Sequence, residues 1–371
     1  MATRAPIPLA RPLMGEEELE EVRAVLESGQ LSQGPKVAEF EAMVADLTGA
    51  RHAFATSSCT TALHLALVAL GIGPGDEVLV PDFTFPATAN VVVQQGAVPV
   101  LVDVDLQTYN VDPGDLARRV TARTRAVIPV DLFGLAADMD PIVRVATEHG
   151  LAVVEDAACS LGATYYDRPC GVLGDVGCFS FHPRKVVTTG EGGMVVTNRD
   201  DLADRLRLLR SHGGVRRDDR FTFEDAGFNY RLSDVQAALG TVQMRRLPEL
   251  VGSRRRLAAR LREQLAEVVS FTVPPEPVWG GHVYQSFVGL VGAGVDRDAA
   301  IAGLRARGLE ATLGTYALHA QPFFARTFGY QPGDLPRSYA ASLRSVALPL
   351  FPQMTDADVD AVVEGVRAVL A

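Results

Sequence analysis

The segment GDVGCFSFHPRKVVTTGEGGMVVTN, residues 174–198, decides the expected fold. It holds two short apolar runs, residues 176–181 and 193–197, on either side of a glycine-rich stretch that contains Lys185. Apolar runs of this length that are bounded by glycines are typical of buried strands joined by a loop. The segment therefore predicts two core strands with a lysine held between them.

Strands and helices alternate on the N-terminal side of this segment. The strand candidates are residues 77–81, 98–103, 125–130 and 151–155, and helical patterns cover residues 60–70 and 141–149. Such alternation predicts a mainly parallel sheet with helices on both faces. From about residue 232 the pattern changes to long helices with one strand candidate. We therefore expect a large α/β domain over residues 1–245 and a smaller α+β domain over residues 246–371.

The composition excludes several classes of partner. The 371 residues carry a formal charge of −10, which argues against binding to nucleic acid or to an anionic membrane. The four cysteines form no C-x-x-C pair and match no zinc-ligand spacing. The N-terminus has no apolar run that suits a signal peptide. We expect no metal site and a cytoplasmic, reducing environment.

Only two of the 35 basic residues are lysines, Lys36 and Lys185. Arginine cannot form a Schiff base because its guanidinium stays protonated, so covalent amine chemistry could use only these two side chains. Lys36 lies at the start of a predicted helix. Lys185 lies among apolar residues and glycines, where desolvation could tune its amine, although a lysine in a loop is more often a solvated charge.

Two further segments carry groups that could hold a ligand. The stretch SSCTT, residues 57–61, leads into a helix, and N–H groups at a helix N-terminus bind phosphate. Asp156 follows a buried strand, where ligands collect in α/β sheets. Each feature has a simpler interpretation as a helix cap. Together with a lysine, however, a phosphate cradle and a carboxylate are what pyridoxal phosphate (PLP) requires.

Three longer segments resemble the signatures of one family. They are EDAACSLGA, GDVGCFSFHPRKVVTTGEGGMVVTN and GFNYRLSDVQAALG. These are similar to segments of the DegT/DnrJ sugar aminotransferases, which have the aspartate-aminotransferase fold (PLP fold type I). The similarity runs nearly from end to end of the chain. It implies an α/β fold with a large, mixed, mainly parallel sheet domain and a smaller C-terminal α+β domain.

The resemblance also implies the site residues. Lys185 would be the Schiff-base lysine and the proton carrier, and Asp156 would pair with the pyridinium nitrogen. The other implied cofactor contacts are Ser58, the Cys59 backbone, Thr60 and Ser180 at the phosphate, Phe85 stacked on the ring, Cys159 near the phenolic oxygen, and Asn229 at the phosphate of a neighbouring subunit. The implied substrate contacts are Tyr316, His319 and Arg231. A shared site would make a homodimer obligatory for activity.

This chain departs from the family pattern in three places, one of which is Asp131, where the family frequently has a histidine. Cys159 stands where the family usually has a glutamine that bonds the phenolic oxygen, and a thiol is a weaker donor. The segment around Tyr316 and His319 differs from the commoner tyrosine-proline version. These changes affect the electronics of the cofactor and the choice of sugar.

The implied activity is transfer of an amine from glutamate, or glutamine, through PLP and pyridoxamine phosphate to a nucleotide-linked keto sugar in amino-sugar biosynthesis. The TTGEGG version of the segment after Lys185 resembles members that aminate carbon 4 of a 6-deoxy-4-keto sugar. A cyclitol aminotransferase or an aminohydroxybenzoate synthase would keep the same lysine. A sugar dehydratase of the family would carry histidine there, and a noncatalytic regulator would have no need of Lys185, Asp156 or Asn229.

Overall fold

The computed structural model describes residues 5–218 and 220–370. The helices are α1 (Glu16–Ser28), α2 (Pro35–Thr48), α3 (Cys59–Ala69), α4 (Ala87–Gln94), α5 (Pro113–Arg119), α6 (Met139–His149), α7 (Asp200–Arg210), α8 (Asp234–Arg245), α9 (Leu247–Leu265), α10 (Arg297–Arg305), α11 (Pro322–Phe328), α12 (Pro336–Arg344) and α13 (Asp356–Leu370).

The strands of the large sheet and its surroundings are β1 (His52–Thr56), β2 (Glu77–Pro81), β3 (Phe83–Thr84), β4 (Val98–Val102), β5 (Thr124–Val127), β6 (Ala152–Asp156), β7 (Thr164–Tyr165), β8 (Arg168–Pro169), β9 (Val176–Ser180), β10 (Gly193–Thr197), β11 (Gly214–Arg217) and β12 (Arg220–Phe223). The later strands are β13 (Phe271–Thr272), β14 (Gly280–Gly281), β15 (Phe287–Val291), β16 (Thr312–Leu313), β17 (Tyr316–Ala317) and β18 (Ser345–Leu348).

Seven strands form the central sheet in the order β1-β10-β9-β6-β5-β2-β4. β10 runs antiparallel to both of its neighbours, and the other contacts within the sheet are parallel. Strands β2, β4, β6, β9 and β10 lie where the apolar runs predicted them. The expected mixed, mainly parallel sheet is therefore confirmed.

Each face of this sheet packs against its own layer of helices. One buried cluster joins the sheet to α2 and α8 through residues such as Phe40 and Phe181, whose ring centroids are 4.7 Å apart. The other cluster joins the opposite face to α3 and α7 through residues such as Leu63 and Leu206. The two-sided burial explains why the strands read as continuous apolar runs.

The C-terminal part of the chain has a smaller antiparallel sheet in the order β13-β15-β18-β16. It shares a core with α9, α10 and α13. The N-terminal arm joins this core too, because Ile7 is buried there and pairs with Leu309. Helices α8 and α9 meet at Arg246, and the division of the chain at residue 245 stays a prediction.

Across the described parts of the chain, the helices are too short or too polar for any of them to cross a membrane.

Candidate active site

A cavity of about 350 Å³ opens at the carboxyl ends of the central strands. This is the edge of a parallel sheet at which ligands bind in α/β proteins. Nine of the twelve residues proposed from the sequence line it: Ser58, Cys59, Thr60, Phe85, Asp156, Cys159, Ser180, Lys185 and Tyr316. The fold thus brings together side chains that are up to 258 positions apart along the chain.

The N-terminus of α3 points into this cavity. Ser58 caps the helix and accepts a hydrogen bond from the Thr61 amide at 3.1 Å. The amides of Cys59 and Thr60 are in the first turn, where a helix has no internal acceptors for them. The local dipole and these N–H groups suit an anion.

Close packing by Gly193 fixes Ser180 beside this helix end. Gly193 pairs with Ser180 across β9 and β10. A Cβ atom on Gly193 would lie only 2.6 Å from the backbone nitrogen of Cys59, so a side chain cannot fit there. The glycine therefore lets the start of α3 approach β10, beside the Ser180 hydroxyl.

The Cys59 thiol faces the core rather than the cavity. Its Sγ lies 3.6 Å from the carbonyl oxygen of Cys178, and the side chain is buried. Burial raises the pKa of this thiol well above its usual value. Only the backbone of Cys59 is therefore available to a phosphate, as the resemblance implies.

Asp156 ends β6 and is only 4% exposed. Its Oδ2 accepts a hydrogen bond from the Thr88 hydroxyl at 2.8 Å, and its Oδ1 accepts one from the Ala158 amide at 3.2 Å. Burial raises the pKa of this carboxyl group above its usual value. A cationic group that entered the cavity and bonded to Asp156 would favour the charged carboxylate.

Lys185 lies between β9 and β10, and its Nζ is 3.1 Å from the Sγ of Cys159. Burial lowers the pKa of Lys185, but its neighbours, with Cys159 first among them, together raise it more, so the net shift is upward. The charge of Asp156 acts in the same direction. Cys159 and Asp156 therefore both favour the protonated form of this amine in the ligand-free chain.

An exposed aromatic wall closes one side of the cavity. Phe85 is 64% exposed and follows β3, and Tyr316 is 39% exposed on β17. The two strands pair, with Tyr316 opposite Thr84. A Phe ring with so much free surface can stack on a flat ligand.

His319 is not in the cavity, in contrast to the expectation that it contacts substrate. Its Nδ1 lies 2.6 Å from Oδ2 of Asp82, and its backbone amide donates to the same carboxylate. Its Nε2 faces the carbonyl oxygen of Pro332 at 3.4 Å. The ring is buried at 1% exposure, and both of its nitrogens are engaged within the chain. His319 therefore fixes the turn after β17 and has no free nitrogen for a ligand.

Asn229 and Arg231 also lie outside the cavity of their own chain. Asn229 is exposed and forms a single bridge with Ser211. Arg231 bridges Thr56 through its backbone and donates from Nη1 to the Ser211 hydroxyl at 3.1 Å. Their segment therefore runs beside β1 near the start of α3.

Two cavity residues were missed by the sequence reasoning. Thr88 holds Asp156, and Gln285 donates from Nε2 to the Arg184 carbonyl at 2.8 Å. Thr88 lies in the PDFTFPATAN segment, three residues after Phe85, in the first turn of α4. Gln285 is 100 positions from Lys185 and carries no such signal.

A second group of buried acids lies behind the site. Asp131, Glu155 and Cys170 bring their polar atoms within 4.8 Å of one another. The amides of Gly171 and Leu173 donate to Glu155. Burial, and then the charge of Asp131, raise the pKa of Glu155 well above its usual value, so it bonds to Asp131 as the acid.

The Asp131 carboxylate accepts further hydrogen bonds from the Ala137 amide at 2.9 Å and the Ser160 hydroxyl at 2.7 Å. Donors of the chain thus satisfy this group of acids, and we interpret it as structural.

Comparison with known proteins identifies the family. The sequence pattern of the DegT/DnrJ/EryC1/StrS aminotransferase family matches residues 12–367. The chain belongs to this family. Its members are PLP-dependent, and the chain is a PLP-dependent sugar aminotransferase of the DegT/DnrJ type.

Named proteins that are similar over nearly the whole chain support its membership of this family. The chain is 41% identical to the spore coat polysaccharide biosynthesis protein SpsC of Bacillus subtilis, covering 98% of this chain and 97% of SpsC. It is also 41% identical to GDP-perosamine synthase of Caulobacter vibrioides, covering 98% of each. A protein assigned as a sugar aminotransferase, Spr1654 of Streptococcus pneumoniae, has a solved PLP form with a TM-score of 0.93. That chain is 28% identical, and the match covers 98% of both chains.

The cavity of this DegT/DnrJ chain fits the cofactor of its family. The first-turn amides of α3 need hydrogen-bond acceptors, and a phosphate supplies them. Among the described residues, no cationic side chain hydrogen-bonds to the buried carboxylate of Asp156, and a protonated ring nitrogen would fill that position. Lys185 provides the amine.

Proposed function

We propose that this protein transfers an amine from glutamate to the keto group of a nucleotide-linked sugar in amino-sugar biosynthesis. The observation that carries the proposal is the opening of Lys185, Asp156 and the α3 amides into one cavity. These are the three groups that the chemistry needs, since one moves protons, one stabilises a cationic ring and one binds phosphate.

Each chain residue has a definite task in this proposal. The α3 amides and the Ser180 hydroxyl bind the phosphate and so fix the position of the cofactor. Asp156, kept in place by Thr88, holds a proton on the ring nitrogen. Phe85 packs on the ring face. When bound, the cofactor supplies an electron sink for the carbon that loses its proton.

Lys185 is the proton carrier. Its Nζ takes a proton from the α-carbon of glutamate and returns one to the cofactor, and then acts in the reverse sense on the sugar. An ammonium cannot accept a proton, so the amine must first lose the proton that Cys159 helps to hold.

The sugar is assigned by analogy with named relatives. The name of GDP-perosamine synthase implies a nucleotide-linked sugar, and this chain matches that protein over 98% of its length. The TTGEGG segment, residues 188–193, supports amination at carbon 4 of a 6-deoxy-4-keto sugar. Tyr316, on the cavity wall, is the substrate contact that fits best.

A homodimer with shared sites is part of the same proposal. Asn229 is exposed and outside its own cavity, and among the described residues its side chain has no hydrogen-bond partner. Such a side chain is available to the phosphate in a second copy of the chain. A cytoplasmic location is also proposed, in keeping with four free cysteines.

The test follows the two half-reactions separately. Purified protein loaded with PLP is mixed with L-glutamate, and the visible absorbance of the cofactor is recorded. A set of nucleotide-linked 4-keto and 3-keto sugars, free keto sugars and keto cyclitols is then added. We expect glutamate to bleach the band and one nucleotide-linked 4-keto sugar to restore it, with an amino sugar as the product by mass spectrometry. Recovery with a cyclitol alone would contradict the proposal.

A further inference from the structure

Cys159 differs from the other three cysteines of the chain in its surroundings. Cys59, Cys170 and Cys178 are buried, whereas Cys159 is partly exposed and lines the active-site cavity. Its Sγ lies 3.1 Å from Nζ of Lys185. A thiol that a small oxidant can reach, in contact with an amine, is an arrangement from which a sulfur–nitrogen bond can form.

The backbone on each side of this contact is held in place. Cys159 is followed by Ser160, whose amide donates to the Ala157 carbonyl at 3.0 Å and closes the turn after β6. Lys185 donates its own amide to the His182 carbonyl at 2.8 Å, in the loop between β9 and β10. The contact therefore follows from two closed turns of the backbone, and the flexible stem of the lysine can close the gap that a bond requires.

The amine of Lys185 has few other contacts. Within residues 5–218 and 220–370, the Cys159 sulfur is the one hydrogen-bond partner of Nζ, and Asp156 acts on the amine through its charge alone. The family usually carries a glutamine at position 159, and peroxide oxidises thiols and thioethers rather than amides. The chemistry that the contact allows therefore depends on the cysteine of this chain.

We propose that hydrogen peroxide joins Sγ of Cys159 to Nζ of Lys185 in a sulfenamide bond, which a thiol reductant reverses. This modification lies beyond the transfer reaction, and the formation of the bond does not depend on the proposed function. Its consequence for activity does, because it removes the amine that the transfer needs.

The bond forms in two steps. The thiol loses its proton to water, and the sulfur attacks one oxygen of the peroxide. The O–O bond breaks, the sulfur becomes a sulfenic acid, and the Lys185 ammonium gives a proton to the departing hydroxide. The neutral amine then attacks the sulfenic sulfur, an S–N bond forms, the S–O bond breaks, and the hydroxide leaves with a proton from the nitrogen. Sulfur has lost two electrons to the peroxide, and two waters are released.

The bond blocks the site until it is reduced. The other lysine, Lys36, lies on α2 and outside the cavity, so it cannot replace the lost amine. An added thiol attacks the sulfur of Cys159, and the amine leaves with the proton of that thiol. A second thiol then releases Cys159 in its reduced form, and the two reductant sulfurs end as a disulfide.

The first test treats full-length protein, with and without PLP, with hydrogen peroxide and maps its peptides by mass spectrometry. Without PLP we expect two peptides joined at Cys159 and Lys185, about 2 Da lighter than the sum of the separate peptides because two hydrogens are lost. Dithiothreitol should separate them. PLP should prevent the bond, since in the proposed function it occupies the amine of Lys185.

Three variants separate this bond from other thiol chemistry. Cys159→Ser should give no joined peptides. Lys185→Arg keeps a cation but has no amine that can attack, so Cys159 should remain a sulfenic acid that dimedone labels, with much less label in wild type. The matched control is Cys178→Ala, which removes a buried cysteine outside the cavity and should give the joined peptides as wild type does.

A second readout follows the cofactor. Peroxide-treated wild type should lose the visible band that forms when PLP is added, and dithiothreitol should restore it. Cys159→Ser should keep the band after the same treatment.

Several results would overturn the inference. They are the absence of joined peptides in peroxide-treated wild type, a disulfide from Cys159 to another cysteine as the main product, and equal dimedone labelling of wild type and Lys185→Arg. Joined peptides that are one oxygen atom heavier would also overturn it, by replacing the S–N bond with an N–O–S bridge.

Failure of this inference can be told apart from failure of the proposed function. The peptide map requires no turnover, so normal transamination without joined peptides would reject the bond alone. Joined peptides in a protein that does not respond to glutamate would reject the proposed function alone. Equal yields of joined peptides with and without PLP would likewise count against the cofactor role of Lys185 and leave the bond standing.

Discussion

Glu155 and Asp156 are neighbours at the end of β6, and both are buried acids, yet their surroundings differ. Glu155 receives two backbone amides and bonds to Asp131, so the chain satisfies it completely. Asp156 receives a hydroxyl and one long amide bond, and it also faces the cavity. The comparison teaches that burial alone does not mark a functional carboxylate. A functional carboxylate is marked by an incomplete set of hydrogen-bond partners beside an open cavity.

Strand geometry explains how adjacent residues come to differ so much. Successive side chains of a strand point to opposite faces of the sheet. Glu155 therefore reaches the face that carries Gly171 and Asp131, and Asp156 reaches the face that carries Thr88 and the cavity. We expect variants on the cavity face to change activity and variants on the other face to change stability.

The largest effect is expected for Lys185→Ala. Loss of the proton carrier should lower turnover by about 10⁴-fold or more, with little change in the unfolding temperature. The control is Lys36→Ala, which removes the only other lysine. Lys36 makes surface ion pairs with Glu21 and Glu39 at 2.7 and 2.8 Å, and such pairs contribute little. Steady-state kinetics on both variants checks this, and full turnover in Lys185→Ala would sink the assignment of the catalytic lysine.

The next largest effect on turnover is expected for Asp156→Asn. Loss of the charge opposite the ring nitrogen should reduce turnover by roughly 10²- to 10³-fold. Stability should change by less than about 1 kcal/mol, because the amide can accept from Ala158 and donate to Thr88. Kinetics and denaturant unfolding on the same preparation measure both quantities. A large loss of stability with normal turnover would place Asp156 with Glu155 among the structural acids.

His319→Gln should mainly cost stability, because it breaks a buried pair with Asp82. We expect a loss of about 3 kcal/mol at pH 6, measured by denaturant unfolding. Burial lowers the pKa of His319, but Asp82 raises it more, so the folded value lies above the usual 6.5. The contribution of the protonated histidine is therefore fully present below pH 6.5 while Asp82 is ionised, and it is lost as the pH rises through the folded pKa of His319. A difference between wild type and variant that grows above pH 7 would contradict this account of the pair.

Glu155→Gln tests the structural side of the comparison. A glutamine has one carbonyl oxygen, so it can accept from Gly171 or Leu173 but not from both. The unpaired amide should cost about 1–3 kcal/mol of unfolding free energy. Turnover should stay near that of wild type, since Glu155 does not line the cavity. A loss of turnover as large as that of Asp156→Asn would remove the distinction between the two faces.

The smallest effect is expected for Cys159→Gln. The substitution restores the residue that the family usually carries, so activity should stay within a few-fold of wild type. It also removes the thiol beside Lys185, so the pKa of the lysine should fall and the rate with glutamate should reach its plateau at lower pH. A pH–rate profile checks this shift. Loss of cofactor binding would show that the pocket at residue 159 has a different shape from that of its relatives.

The sequence predicted the central sheet well. It predicted poorly the contacts between the N-terminal and C-terminal parts of the chain. The strands at residues 77–81 and 193–197 agree with β2 and β10 because strands that are buried on both faces leave continuous apolar runs. The pairing of β3 with β17 left no such trace, since strands of two residues are too short to show a period. The arm that places Ile7 in the C-terminal core is likewise invisible, because its partner lies 302 positions away.

In the candidate site too, some residues could be predicted from the sequence and others could not. The residue pattern made Lys185 and Asp156 candidates, and the resemblance to the family implied their roles. His319 was expected in the cavity, but a histidine that is paired with a buried aspartate has no distinguishing pattern in sequence. Thr88 and Gln285 act on the site through residues far along the chain, and only the fold brings them there.

The most direct test of the account is the visible spectrum of PLP-loaded wild type, Asp156→Asn and Glu155→Gln, recorded before and after addition of L-glutamate. The account predicts a band that glutamate bleaches rapidly in wild type and in Glu155→Gln, and at least about a hundredfold more slowly in Asp156→Asn. Equal rates in the two variants, or the slower rate in Glu155→Gln, would contradict the assignment of the cavity face as the cofactor site.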